Sequence, residues 1–247
     1  RDLHSFPTRR SSDLKNEMLK AIIFSGHERT YQAWYGVPLN YLDSARTYNP
    51  YTYDNEVDNY GQTHYQLHYS KKVKENTNVN ISAHYTHGEG YYEQFKSGED
   101  LADYGLENII IGNDTISSTD LIRRKWINND FGGVVFSLNH KMEKLNLTFG
   151  GASNRYSGQH YGNIIWAEYA SDGNYEHEYY KNIATKFDHN LYLKVDYSLS
   201  TNTNLYADLQ KRKVEYKFMG NDEDGNATEQ IVRSEEHTSE LQSHLNL

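Results

Sequence analysis

The chain has 247 residues, a formal net charge of −9, no cysteine and a mean hydropathy of −0.90. The missing cysteines exclude disulfides, thiolate metal sites and cysteine nucleophiles, and the acidic balance argues against nucleic acid, whose phosphates need a basic partner. No apolar run approaches the ~18 residues of a membrane helix. Yet 23 tyrosines, 8 phenylalanines and 3 tryptophans are many for so polar a chain, and Tyr and Trp concentrate at membrane interfaces. A β-barrel with a polar interior conceals its membrane character from mean hydropathy.

The first fourteen residues, RDLHSFPTRRSSDL, show no strand pattern and differ in texture from the body of the chain. Residues 18–24 (MLKAIIF) read as a strand. An irregular segment over 26–59 then carries Tyr31, Trp34, Tyr35, Tyr48, Tyr51 and Tyr53. From Tyr60 to Phe95 the pattern becomes sharp. Tyr65, Leu67, Tyr69 and Val73 occupy odd positions, and His64, Gln66, His68, Ser70 and Lys72 the even ones. After a polar turn over 74–78, Val79, Ile81, Ala83 and Tyr85 alternate with Asn80, Ser82, His84 and Thr86. A period of two marks strands with one apolar and one polar face. Folding about that turn sets His68 roughly opposite His84.

A second long connection, 97–125, holds an isoleucine triplet. A strand comes next in which Val134, Phe136 and Leu138 share a face, then a tight turn at 141–144, then Leu145, Leu147 and Phe149 alternating with Asn146, Thr148 and Gly150. A third connection, 166–182, contains Trp166, Tyr169, Tyr175, Tyr179 and Tyr180. Two more strands, one with Phe187 to Leu199 on odd positions and one with Leu205, Ala207 and Leu209, meet at a turn over 200–203. After Phe218 comes a polar NDEDGN loop. The last fifteen residues, RSEEHTSELQSHLNL, are again foreign in texture.

About seven strands therefore alternate between short turns and long loops. Outer-membrane barrels segregate loops in this way, with short periplasmic turns and long extracellular loops. The expected fold is all-β: an antiparallel up-and-down transmembrane β-barrel. Seven strands cannot close, and open edges are not tolerated in lipid, so a slice of a larger barrel is expected.

The segments HERTYQAWYGVP (27–38), ARTYNPYTYDNEVDNYGQTHYQLHYS (45–70) and NISAHYTHGEGYYEQFK (80–96) resemble TonB-dependent receptors, particularly those of Bacteroidetes-type bacteria. The resemblance spans 15–232. It implies a partial barrel out of 22 strands, in the outer membrane of a Gram-negative bacterium, that imports a nutrient such as an iron–siderophore chelate or an oligosaccharide. The partners implied are outer-membrane lipid, the extracellular ligand, and the TonB energy-coupling complex acting through a plug domain. Residues 4–14 (HSFPTRRSSDL) and 233–244 (RSEEHTSELQSH) resemble the translation of paired sequencing adapters. On that reading 1–14 and 233–247 are not native.

No catalytic residues, cofactor or metal are expected. His64, His68 and His84 share the polar face and read as lumen filling rather than ligands, because i and i+4 on a strand lie ~13 Å apart. The acid pairs Glu56/Asp58, Glu99/Asp100 and Glu176/Glu178 sit in expected loops and read as solvated surface rather than a glycosidase pair. Gly132-Gly133 and Gly150-Gly151 lie within strands, where they relieve crowding or bend the chain. The candidate ligand-binding residues are the aromatics of the long loops: Tyr31, Trp34, Tyr35, Tyr48, Tyr51 and Tyr53 in the first, and Trp166, Tyr169, Tyr175 and Tyr179 in the third. Their faces suit sugars or siderophore rings. The alternatives are a passive porin-like channel and a soluble β-sheet protein that binds or hydrolyses carbohydrate.

Overall fold

The computed structural model describes residues 8–14, 16–171, 176–221 and 227–245, with side chains described from 16 to 234. The backbone alternates between strand and turn with no α-helix among the described residues. Strand β1 (Thr8–Leu14) leads into β2 (Glu17–Tyr31), β3 (Val57–Lys74) and β4 (Thr77–Asp100). A 3-10 turn at Leu101–Tyr104 and a small hairpin, β5 (Ile109–Ile111) with β6 (Asp114–Ile116), precede β7 (Ser118–Lys141). Then come β8 (Leu145–Ala167), β9 (His177–Ser200), β10 (Thr203–Asn221) and β11 (Ala227–Leu245). Nine strands form one antiparallel sheet in the order β1-β2-β3-β4-β7-β8-β9-β10-β11. Each strand of this sheet pairs with its neighbours in the chain, which is the meander of an up-and-down barrel wall. No helix among the described residues is long and apolar enough to cross a membrane.

The seven strands expected between 15 and 232 are present, from β2 to β10 without the small hairpin. The terminal segments, expected to lack strand character, pair as edge strands: Thr8–Leu14 along β2 and Ala227–Leu245 along β10. An edge presents a row of free N–H and C=O groups that an adjacent extended backbone completes, whatever its side-chain pattern.

The alternation of connections holds. Short turns lie between Lys74 and Thr77, Lys141 and Leu145, and Ser200 and Thr203, while 32–56, 101–117 and 168–176 join the opposite ends. The long connections are shorter than expected because the strands run on. β2 reaches Tyr31, β4 reaches Asp100, and Trp166, Tyr179 and Tyr180 belong to β8 and β9 rather than to a loop. The NDEDGN loop lies at residues 221–226, of which 222–226 are outside the described residues.

Register explains the two faces. Val79, Leu138, Phe149, Leu193 and Leu209 stand side by side across five strands. Leu67 sits between Ala21 and Ala83 in the same way. These side chains have no cover: Leu67 is 47 % exposed and Leu209 59 %. A continuous apolar row of this kind exceeds what a water-facing surface carries. On β4 the row ends above Tyr85, where His87, Glu89, Tyr91 and Glu93 share the same face. His87 Nδ1 and Asp130 Oδ1 meet at 2.9 Å on that polar border. The continuous apolar row thus lies in the strand halves beside the short turns, with isolated exposed residues such as Ile183 and Met219 farther along the same face.

The opposite face is laced by polar bonds between strands. Ser70 donates to Asn80 at 2.7 Å, Asn80 to Ser137 at 3.2 Å, and Thr148 to Asn139 at 3.0 Å. Gly133 serves this face: a Cβ there would lie 2.2 Å from Asn154 Oδ1. The bare position lets His84, whose register partner is Gly133, reach past it and donate from Nε2 to Asn154 Oδ1 at 2.9 Å.

Candidate functional site

The three histidines take up the polar face, as their parity requires. They do not pair with one another. The β3–β4 turn is only Glu75-Asn76, with Val73 skipped in the ladder, so His68 faces Ser82 and His84 faces Gln66. This corrects the expected His68–His84 opposition: the side-chain period fixes the face, while the turn fixes the register. His68 Nδ1 meets Ser82 Oγ at 2.9 Å, and His64 accepts from Thr86 Oγ1 at 2.9 Å and donates to Gln62 Oε1 at 3.0 Å. No group of three or more His, Asp or Glu able to hold a metal ion occurs among the described residues.

The aromatics of the first loop are built into that loop. The Tyr31 hydroxyl donates to the Tyr51 carbonyl at 3.1 Å, Tyr35 stacks on Tyr51 with centroids 6.3 Å apart, and Tyr41 packs on Tyr48 at 4.7 Å. The Trp34 indole donates to Glu56, whose other oxygen accepts the Phe95 N–H at 3.1 Å. Tyr53 and Asn55 both donate to Glu93 Oε1 at 2.5 Å, and Arg124 Nε reaches its other oxygen at 2.7 Å. Burial, with the Glu93 hydrogen bond second, pushes the Tyr53 hydroxyl well above the usual tyrosine range. Glu56 and Glu93 are each 1 % exposed. Glu56 is therefore an anchor for the loop, which corrects its reading as solvated surface. Buried carboxylates persist only where donors surround them. Tyr35 remains 73 % exposed.

The second loop folds over the polar face. Leu101, Tyr104 and Leu106 bury themselves on Leu121 of β7 and Ile164 of β8, with Tyr179 against the cluster. Tyr104 donates to Glu99 at 2.5 Å and accepts from Arg123 at 2.9 Å, so Glu99 too is engaged. Burial and the Glu99 carboxylate push the Tyr104 hydroxyl upward. Of the third group, Trp166 and Tyr169 are exposed, and Tyr179 packs edge-on against Tyr104 and Tyr180. Tyr175 lies outside the described residues.

A cavity of about 510 Å³ opens on the polar face toward the long-loop ends of the strands. Seven strands border it, and among the side chains of its wall are Glu28 from β2, Asp58 and Tyr60 from β3, Lys125 from β7, His160 from β8, Asn182 from β9 and Phe218 from β10. The sequence alone marked only Asp58 among these, and only as one of a solvated acid pair. Their common signal is parity, for all lie on the polar-face register of their strands. Tyr60 is held there by two bare positions: a Cβ on Gly90 would lie 2.6 Å from Tyr60 Cα, and one on Gly88 would overlap its hydroxyl. The site offers hydrogen-bonding groups between aromatic walls, and the cavity volume suits a small molecule.

No protein-family model and no curated protein matches the sequence. Solved structures do match in shape. The ferric-catecholate import receptor Fiu from E. coli K12, in its closed form, superposes with a TM-score of 0.62 at 9 % identity, over 97 % of this chain and 40 % of that one. The ferric yersiniabactin uptake receptor FyuA from Yersinia pestis gives 0.55 at 8 % identity, over 98 % of this chain and 34 % of its own. BauA, the ferric preacinetobactin receptor from Acinetobacter baumannii, gives 0.54 at 8 %, over 97 % and 36 %. This chain thus spans well under half the length of the structures it matches, and at these identities the likeness is one of fold: an antiparallel sheet of the kind that forms the β-barrel wall of these receptors.

Proposed function

We propose that residues 15–232 form part of the wall of a TonB-dependent outer-membrane receptor for active uptake of a nutrient, an iron–siderophore chelate or an oligosaccharide. In that setting 1–14 and 233–247 are not native. The carrying observation is the concentration of uncovered apolar side chains, among them Leu67, Leu138, Phe149, Leu193 and Leu209, on one face in the strand halves beside the short turns. β4, β7 and β9 have 24 residues each, and at ~3.3 Å per residue a strand of that length measures ~80 Å. A tilted strand needs only ~9–11 residues to cross the hydrocarbon core. The half beside the short turns is enough for that, with apolar side chains toward lipid and His64, His68 and His84 toward the lumen. The other half stands in water with the long loops.

The exposed aromatics Tyr35, Tyr48 and Tyr169 of the loops, with Tyr31 and Trp166 at the strand ends beside them, then stand where a ligand arrives. Trp34, Tyr51, Tyr53 and Tyr179 hold the loops in shape around them, and the site does no catalysis. The TonB complex would act through a plug domain inside the barrel. The fold shared with three ferric-siderophore receptors supports this reading. Its test is uptake of labelled nutrient by cells expressing the intact protein that carries this chain, with and without the TonB complex. Accumulation against a gradient that ceases without TonB is the expected result. Uptake that only equilibrates, with or without TonB, would point to a passive channel instead. Recovery of the protein from the aqueous fraction without detergent would refute the membrane placement.

A further inference from the structure

The cavity on the polar face has an unusual pair in its wall. His160 and Asn182 are register partners on β8 and β9, and both line the cavity. Asn182 is 6 % exposed. Its amide nitrogen donates to the Asn221 carbonyl at 3.2 Å, while its Oδ1 is buried without a hydrogen-bond partner. His160 Nε2 is buried and unpartnered in the same way. Buried polar atoms are nearly always satisfied, and two adjacent exceptions beside one cavity mark the place of a group that donates to Asn182 Oδ1 and donates to or accepts from His160 Nε2 according to its tautomer.

Charge narrows what that is. Glu28 and Asp58 set two carboxylates in the wall against the single ammonium of Lys125. A ferric tris-catecholate carries three negative charges and would meet this wall unfavourably, since like charges in a partly desolvated site repel. A sugar ring fits better. Its hydroxyls donate as well as accept, so one can serve Asn182 Oδ1 and its neighbour His160 Nε2, while others donate to Asp58 or Glu28. Its apolar C–H face has the Tyr60 ring to lie against, which glycines at 88 and 90 leave room for.

We propose that the His160–Asn182 cavity is a saccharide subsite, taking a neutral polyhydroxylated ring rather than an anionic ferric chelate. The proposal rests on the receptor reading and selects among its nutrients. The test uses the intact protein carrying this chain, in outer-membrane vesicles, with labelled maltohexaose, cellohexaose and xylohexaose against ferric tris(2,3-dihydroxybenzoate). Saturable binding of at least one hexaose is expected, weakened about tenfold by Asn182→Ala through loss of one buried hydrogen bond. Heat-dependent gel migration of the Asn182→Ala protein should match that of wild type, which guards against a variant that merely misassembles. Binding of the ferric complex and of no hexaose overturns the proposal and leaves the receptor reading standing. So does hexaose binding that is indifferent to Asn182→Ala. If neither class binds, the subsite is refuted, and TonB-dependent uptake of some other nutrient still decides the receptor reading separately.

Discussion

Replacing Leu67 by arginine separates a lipid-facing sheet from a water-facing one. Leu67 lies in mid-row on the apolar face of β3, flanked in register by Ala21 and Ala83, and is 47 % exposed. If that exposure is to hydrocarbon near the bilayer midplane, a charge placed there costs ~2–4 kcal/mol. At ~1.4 kcal/mol per factor of ten, that is about 30- to 700-fold in the folding equilibrium. If the exposure is to water, an arginine on an open surface changes stability by no more than ~0.5 kcal/mol. Gln66→Arg, one residue away on the polar face opposite Ile22 and His84, is the matched control and should be near neutral. A third substitution, His87→Arg, sits on the apolar-face parity but at the polar border beside Asp130, and the cost there should fall to ~0–1 kcal/mol. The assay is urea unfolding of the intact protein in lipid vesicles, monitored by tryptophan fluorescence and by heat-dependent migration on gels. The expected ranking is Leu67→Arg far more costly than the other two. A neutral Leu67→Arg with a costly Gln66→Arg would refute the assignment of faces.

Two further expectations concern the loops. Glu93→Ala removes the acceptor shared by Tyr53, Asn55 and Arg124 and leaves a charge without its partner; breaking a buried pair from one side costs ~3–5 kcal/mol. Because Arg124 keeps 29 % side-chain exposure, the low end applies, and limited proteolysis should cut within 32–56 much faster while the strands stay protected. Tyr53 and Tyr104 both hold their hydroxyl protons beyond the usual tyrosine range, first through burial and then through a neighbouring carboxylate. Since the folded state binds these protons more tightly, their contribution is complete below pH ~10 and is lost as pH rises above that. Tyrosinate absorbance should therefore lag behind that of free tyrosine, and protease sensitivity of loops 32–56 and 101–117 should appear only in that alkaline window. Cleavage that is equally fast at neutral pH would contradict the anchoring roles of both residues.

The sequence showed most clearly what a period of two can show. Leu67, Ile81, Val134, Phe149 and Leu193 had to share a face, His64, His68 and His84 had to take the other, and the short and long connections had to alternate, because successive strand residues point to opposite sides. Alternation is visible, however, only where the two faces meet different surroundings. Beyond Tyr85 on β4 both faces are largely polar, and beyond Gly162 on β8 both carry apolar residues, Ile164, Ile165 and Trp166, so in each place the strand continues without an alternating signal. That is why 97–100, Trp166 and Tyr179 looked like loop.

The register was equally invisible. A two-residue turn with Val73 left out of the ladder moved His68 from His84 to Ser82, and side-chain period carries no information about such a slip. Glu56 and Glu99 looked solvated because their partners, Trp34, Phe95, Tyr104 and Lys96, converge only once the loops fold back. The cavity is the extreme case. Its wall draws Glu28 and Phe218 together from opposite ends of the chain, and the orphaned oxygen of Asn182 exists only because seven strands lie side by side. Alternation is a local property of the backbone and can be read from the chain; a site assembled across a sheet depends on pairing, which only the folded structure decides.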